Sequence, residues 1–465
     1  MHTEVFMWDA RFKERMQSLL GDGCEAFFAA LECEAVRGAR INPIKCKNPD
    51  AALSAGLGLD ALPYVNDGYI MRTGEGVGST PEHHAGMIYV QDPGAMATLG
   101  AIDISPDWRV LDMCSAPGGK SSQAAARLSQ DGFILSNEYV PKRAKIVVSN
   151  FERLGIKNAV VTSLDTDCLP ELYSEFFDLV IADVPCSGEG MFRKSEEAVT
   201  EWSEENVLLC AERQKKILKN APPVLKEGGY LLYSTCTYSL EENEMVIDSF
   251  LLEHPEFEIV PVNEALIEKT EPGIVFDGAH SEKLSYARRF YPHKSEGEGQ
   301  FVALLKKSGS SSKKQTVLYK DAAKEPKPEE KAAIDKFFSE NLTERPHGRV
   351  AKVGENLVII SHGYPIPPKS VFSAGVLLGT VEKGLLFPAH QFFSAYGELF
   401  IRREELHRDD PRVAKYIRGE EIEATDKEAR GFCAVFYEGA ALGGGKISSG
   451  KVKNHYPKGL RQNIK

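Results

Sequence analysis

Two cysteines stand where a thiol could react as well as pack. Cys186 lies in Asp183-Val184-Pro185-Cys186-Ser187-Gly188, and Cys236 in Ser234-Thr235-Cys236-Thr237. Both sit in short polar turns just past apolar runs, whereas an inert cysteine is usually embedded inside such a run. A thiolate can add covalently to an electrophilic substrate carbon. Asp183, three places before Cys186, could steady charge that builds on that substrate. The pattern leaves open which thiol attacks.

A third stretch, Arg109–Leu128, supplies a place for a cofactor. An apolar run through Val110-Leu111-Asp112-Met113 breaks into Cys114-Ser115-Ala116-Pro117-Gly118-Gly119, and Lys120 starts an alanine-rich helical segment. Strand, glycine turn and helix in that order form a nucleotide-binding crossover, in which backbone N–H groups at the helix start face the ligand. A phosphate-binding P-loop is excluded, because that motif needs glycine where Cys114 stands. The next apolar run, Phe133–Asn137, ends at Glu138, 19 positions after Gly119. That is close to the roughly 20 expected of a carboxylate that takes ribose hydroxyls. The ligand reads as an adenosine cofactor.

These segments must be held by a sheet. Apolar runs near 109–113, 133–137, 159–163, 177–183 and 229–235 alternate with helical stretches. The clearest helix spans 204–226 and is expected to end on a glycine cap at Lys226-Glu227-Gly228-Gly229; another is expected to start at a capping box, Ser239-Leu240-Glu241-Glu242. Alternating strands and helices predict an α/β, doubly wound, Rossmann-like core whose ligands sit at the carboxyl ends of parallel strands. Those ends carry Cys114, Glu138, Asp165, Asp183 with Cys186, and Cys236.

Composition bounds the rest. The chain has 465 residues, enough for about three domains, and a net charge of −11, so any nucleic-acid contact needs locally concentrated bases. The start, MHTEVFMWDARFKERM, is too charged for a secretory signal. Nine scattered cysteines form no C-x-x-C pair, which suits a reducing cytoplasm and argues against disulfides or a zinc site. Residues 4–34 read as helices, Arg37–Lys45 as a basic strand, 60–90 as short strands and turns, and Gly74–Gly78 as a loop. After Lys306 comes a Ser-, Lys-, Glu- and Pro-rich linker, then a helix over 331–340 with strand runs around 349–360 and 371–381. The last twenty residues hold six Lys or Arg and no acid, a pattern that suits phosphate contact.

If the cofactor is S-adenosylmethionine, the thiols acquire a purpose. Carbon C5 of cytosine is a weak nucleophile, and a thiolate adding at C6 turns the ring into an enamine that can take a methyl group. The runs Asp112–Lys120, Asp183–Gly188 and Ser234–Thr237 closely resemble, in this order, the Sun-type family of RNA cytosine-C5 methyltransferases. Arg40-Ile41-Asn42-Pro43-Ile44-Lys45 looks like that family's N-terminal R-x-N-x-x-K signature. Lys453–Arg461 resembles the end of the bacterial small-subunit ribosomal RNA methyltransferase F type, with its terminal PUA-like domain. One departure is visible: Gly299-Gln300-Phe301 stands where the family has glycine followed by two aromatics.

The resemblance implies Cys236 as nucleophile, Cys186 as the residue that assists release of the methylated base, and Asp183 facing the cytosine. It implies that Cys114, Ser115, Ala116, Pro117, Gly118, Gly119, Lys120, Glu138, Asp165 and Asp183 hold S-adenosylmethionine. Arg40, Asn42, Lys45, Lys453, Asn454, Tyr456, Lys458 and Arg461 are the expected RNA contacts, with no metal. The expected division is an α+β RNA-recognition domain at 1–88, the methyltransferase core at 89–306, a linker at 307–330, a small α+β module at 331–383 and a PUA-like, β-rich RNA-binding domain at 384–465. The expected product is 5-methylcytosine in RNA, most specifically 16S ribosomal RNA. Competing readings are the same chemistry on tRNA, or a catalytically silent ribosome-assembly factor.

Overall fold

The computed structural model describes residues 8–53, 56–72, 76–309, 316–361 and 363–462. Gly74 and Glu75 of the glycine-rich loop, positions 310–315 of the expected linker, and Asn463–Lys465 of the basic tail lie outside the described residues.

All five expected core strands form: β1 (Arg109–Asp112), β2 (Phe133–Asn137), β3 (Ala159–Thr162), β4 (Phe177–Asp183) and β5 (Leu225–Thr235). They lie parallel in the order β3-β2-β1-β4-β5, and β6 (Gln300–Lys307) runs antiparallel beside β5. Successive residues point to opposite faces, and both faces are covered. Leu111, Val180 and Tyr233 pack into one core layer; Val110, Ile181 and Leu232 pack into the other. Such strands must be apolar along their whole length, which is why they were legible as short hydrophobic runs. The crossover helices include α1 (Gly119–Arg127), α2 (Pro141–Leu154), α3 (Glu204–Leu218) and α4 (Glu244–Glu253).

Two helix ends differ from expectation. The helix expected over 204–226 stops at Leu218. Pro222 and Pro223 follow, and a proline has no N–H to continue the helical ladder. Gly228, at φ +74°, therefore does not cap a helix; it lies within β5 where the register to β4 shifts. The helix expected from Ser239 begins instead at Glu244. Glu242 and Asn243 are turned inward, toward Ser187 and Thr235, and so cannot cap it.

The flanking segments clamp the core. Helices Ala10–Leu20 and Cys24–Leu31 precede a four-stranded antiparallel sheet built on Arg37–Ile41. The expected linker is packed where it is described: Thr316–Val317 pairs with Tyr173–Ser174, and Ala322 N–H donates to Ile366 O. Strand Val371–Ala374 extends the core sheet by pairing with β3. Leu385–Pro388, placed by sequence in the last module, instead completes the preceding four-stranded sheet. A five-stranded sheet containing Arg403–Leu406, Gly431–Tyr437 and Ala440–Ser448 closes the chain. Tyr416, Val435 and Tyr456 of this last module share one apolar core with Ala39, Ile41 and Met87 of the N-terminal module. None of the described helices is long and apolar enough to cross a membrane.

Candidate active site

The cofactor turn is held open by its own backbone. Gly118 adopts φ +105°, a conformation that L side chains rarely adopt, and α1 begins at the next residue. Ser115 N–H donates to Asn137 O at 2.9 Å, tying the turn to β2. Asp112 accepts from Ser121 Oγ at 2.5 Å and from Cys114 N–H at 3.3 Å, and burial pushes its carboxyl up to about 7. Glu138 accepts from Ala116 N–H at 3.3 Å and Val140 N–H at 2.9 Å, so its carboxylate stands beside the turn. The buried Ser115 hydroxyl has no hydrogen-bond partner among the described residues. A free buried hydroxyl, a helix N-terminus and an acid beside them form a donor and acceptor set that suits an adenosyl cofactor. Asp165 is exposed at the end of β3 and accepts from Asp167 N–H at 3.1 Å. Burial raises the Cys114 thiol well above its ordinary value, so it stays a neutral lining group.

The two thiols meet. Cys186 Sγ lies 3.3 Å from Cys236 Sγ, although 50 residues separate them. The hydrogen bond to Cys236, with burial second, holds the Cys186 thiol well above its usual range. Cys186 therefore keeps its proton and can donate it toward the Cys236 sulfur. Asp183 connects this pair to the cofactor turn. Its Oδ2 pairs with Lys120 Nζ at 2.8 Å, and its Oδ1 accepts from Ser234 Oγ at 2.7 Å.

The thiol turns are seated by residues that sequence reasoning passed over. Gly190 N–H donates to Cys236 O at 2.9 Å, and a Cβ on Gly190 would stand 2.4 Å from Gly299 O. Glu189 accepts from Thr237 Oγ1 and from Tyr238 N–H, both at 2.9 Å. Glu242 accepts from Ser187 N–H at 2.9 Å. Asn243 bridges Thr235 Oγ1 and Thr237 O, at 2.6 and 3.0 Å. Arg289, fully buried against Glu244, donates to Tyr238 O at 2.8 Å. The available signal was the acid density of Ser187-Gly188-Glu189 and Glu242-Asn243-Glu244 beside the two cysteines. At the departure from the family pattern, Phe301 is buried opposite Thr235, and Gln300 is buried with an Nε2 that has no partner among the described residues.

Most expected RNA contacts are internal fasteners. Arg40 is 2% exposed and donates to Gln91 Oε1 (2.7 Å), Gly119 O (3.0 Å) and Ser122 Oγ (2.8 Å), bracing the cofactor turn. Asn42 donates to Gly86 O and Leu154 O, at 2.8 and 2.9 Å. Lys45 is buried and reaches Ser394 O (2.6 Å), Ser394 Oγ (2.9 Å) and Ala441 O (2.5 Å); burial pulls its ammonium down to about 7. Their donors are spent inside the protein, so these three do not face RNA. Tyr456 is buried with its hydroxyl 2.7 Å from His84 Nδ1, Asn454 donates to Tyr416 O and Glu420 O, and Arg461 donates to Tyr456 O. Lys453 and Lys458 are exposed. A cleft of about 2030 Å³ runs between the N-terminal module and the core, lined by Trp8, Arg37, Arg72, Asp92, Phe192 and Lys194 among others.

Known proteins share this architecture. The family described as 16S rRNA methyltransferase RsmB/F matches residues 100–306; the N-terminal domain of 16S rRNA methyltransferase RsmF matches 9–93, and the methyltransferase RsmF PUA domain matches 403–462. Ribosomal RNA small subunit methyltransferase F of Vibrio campbellii is 30% identical over 484 residues, covering 99% of this chain and 98% of that one. A methyltransferase homolog protein from Pyrococcus horikoshii superposes with a TM-score of 0.57 at 29% identity, over 64% of this chain and 95% of that one. NSun6 from Pyrococcus horikoshii, solved with SFG, shares the fold at a TM-score of 0.55 and 20% identity, over 65% of this chain and 99% of that one. With these matches along its length and a strand-end turn built for an adenosyl group, the chain belongs to the 16S rRNA methyltransferase RsmB/F family and is an S-adenosylmethionine-dependent RNA methyltransferase.

Proposed function

We propose that this enzyme forms 5-methylcytosine in small-subunit ribosomal RNA, in the cytoplasm, through a covalent adduct on Cys236. The 3.3 Å thiol pair, linked through Asp183 and Lys120 to the cofactor turn, carries the reading. The target cytosine is unstacked from the RNA, because its C5–C6 edge must meet both thiol and cofactor. Cys236 Sγ bonds to C6, and the negative charge that moves to ring N3 is offset by the Asp183–Lys120 pair, whose ammonium can supply a proton through Asp183 to N3. S-adenosylmethionine, when bound, supplies the electrophilic methyl group that C5 takes. Loss of the C5 proton and cleavage of the C6–S bond return Cys236, with the protonated Cys186 thiol beside the departing sulfur. Cys114–Lys120, Glu138, Asp165 and Asp183 would hold the cofactor: the Ser115 hydroxyl and the helix N-terminus offer donors, and Glu138 offers an acceptor for ribose hydroxyls.

The proposed division of labour is RNA recognition by 1–88 along the cleft, chemistry by 89–306, a packed connector at 307–330, a bracing module at 331–383 and RNA docking by 384–465. Lys453 and Lys458 favour that last role, being the exposed cations of the expected tail set. Tritium transfer from labelled cofactor to small-subunit ribosomal RNA tests the reading. Cys236→Ala abolishes transfer and leaves cofactor binding intact; retained turnover would reassign the nucleophile. Cys186→Ser accumulates a covalent protein–RNA band on a denaturing gel. That band with Cys236→Ser instead would exchange the two roles.

A further inference from the structure

A chain of buried oxygens joins the two thiol turns. Glu189 Oε2, Thr237 Oγ1, Ser187 Oγ and Glu242 Oε1 lie in sequence, with Glu189–Thr237 at 2.9 Å, Thr237–Ser187 at 3.0 Å, and Ser187 in hydrogen-bond contact with Glu242. Thr237 follows Cys236 and Ser187 follows Cys186, so the chain couples one turn directly to the other.

The hydrogens do not suffice if both acids are ionised. Three oxygen–oxygen contacts need three hydrogens, and the two hydroxyls supply one each. The third belongs to a carboxyl group, and the remaining partners show which. Glu189 Oε1 accepts from Trp202 Nε1 at 2.9 Å, and its Oε2 accepts from Tyr238 N–H as well as from Thr237. Glu242 Oε2 accepts from Ser187 N–H and from Gln214 Nε2 at 2.8 Å. The Gln214 amide is oriented by its second bond, to Pro185 O at 3.0 Å. Only Glu242 Oε1 is without another donor aimed at it, among the described residues.

We propose that Glu189 and Glu242 share a single proton, carried on Glu242 Oε1, and that this proton seats the Cys186 and Cys236 turns against each other. Glu242 is a positioning residue in this account, acting through Ser187 and Thr237. The order of donation runs from Glu242 to Ser187 to Thr237 to Glu189, which remains the acceptor.

The surrounding charges agree. Glu189 faces the Arg15 guanidinium from the N-terminal helix, itself paired with Glu241 at 2.7 Å. Glu242 has no ion-pair partner among the described residues; Cys186, Cys210 and Tyr233 face it, and the neighbouring Glu244 is neutralised by Arg289. Burial moves Glu242 up to about 7 and raises Glu189 as well. Loss of the shared proton would leave two like charges joined through two hydroxyls that have one hydrogen too few, and the turns would part.

This inference rests on the assignment of both thiols to the reaction, and the test separates the two. The full-length enzyme is assayed for methyl transfer across pH as wild type, Glu242→Gln and Glu189→Gln, with thermal melting as a check on folding. An amide at 242 can donate to Ser187 Oγ and accept from Ser187 N–H and Gln214, so it imitates the protonated acid permanently. Wild-type kcat is expected to decline above about pH 7, and Glu242→Gln to show no such decline. An amide at 189 turns a donor toward Trp202 Nε1 or toward Thr237 and Tyr238; kcat is expected to drop about tenfold or more while the KM for the cofactor holds. Infrared spectra of wild type labelled at glutamate carboxyl carbons should show a protonated acid below the transition that Glu242→Gln removes. The wild-type spectrum needs neither RNA nor turnover, so a protonated glutamate that disappears as pH rises through about 7 is read even if a variant fails to fold. Equal damage from both glutamines, or no protonated acid, overturns the shared proton. Full activity of Cys236→Ala would instead overturn the assignment of the thiols.

Discussion

Lys45→Met separates two roles for a residue that sequence places on RNA and structure places inside the protein. Methionine keeps much of the length and removes the ammonium. The substitution leaves the buried carbonyls of Ser394 and Ala441 without their lysine donor. The Ser394 hydroxyl still donates to Glu152 O at 2.9 Å. Each lost partner is worth about 1–3 kcal/mol, so the bonds contribute roughly 2–6 kcal/mol. Against this stands the cost of burying the ammonium, which pulls the lysine from 10.5 down to about 7. An unfolded lysine holds its proton up to roughly pH 10, and the native one releases it near 7. Between those values the unfolded state carries more protons, so this group's contribution to wild-type stability rises with pH. The stability difference, wild type minus variant, should therefore grow by about 2 kcal/mol between about pH 7 and 9. Urea unfolding of both proteins across that range measures it. RNA affinity of the folded variant, and its salt dependence, should match wild type. A stability difference indifferent to pH refutes the burial argument. A salt slope flattened by about 0.7, the loss of one phosphate contact, returns Lys45 to the RNA interface.

Three further perturbations probe other parts of the account. Lys453→Ala with Lys458→Ala should flatten the salt slope of RNA binding by up to about 1.4 while the melting temperature holds; an unchanged slope would put the phosphate contacts elsewhere. Gly190→Ala forces a Cβ to 2.4 Å from Gly299 O and 2.9 Å from Cys236 O, backbone atoms with little room to give. Methyl transfer should fall about tenfold or more with cofactor affinity retained, and a silent variant would show that the thiol turn tolerates displacement. Arg40→Ala removes the brace on Gly119 O and Ser122, so calorimetry should find cofactor affinity weakened about tenfold, a change of roughly 1.4 kcal/mol; an effect confined to RNA affinity would restore the sequence-based role.

The positions of the five core strands, the glycine turn, and the strand-end places of Glu138, Asp183, Cys186 and Cys236 could be read from the chain alone, because each is a local feature. A strand buried on both faces must be apolar throughout, and a turn that approaches a ligand closely needs glycine where φ is positive. What no local pattern carries is which polar groups find partners across the fold. Arg40, Asn42 and Lys45 look like a basic strand for RNA until the core and the last module close over them and use up their donors. Glu242 looks like part of a helix cap until Ser187, 55 residues earlier, arrives beside it. The two sulfurs become a pair only because β4 and β5 are neighbours in the sheet, which brings the turns that follow them to within 3.3 Å. Side-chain type set the available chemistry, and the packing of distant segments decided which groups stay buried, paired and protonated.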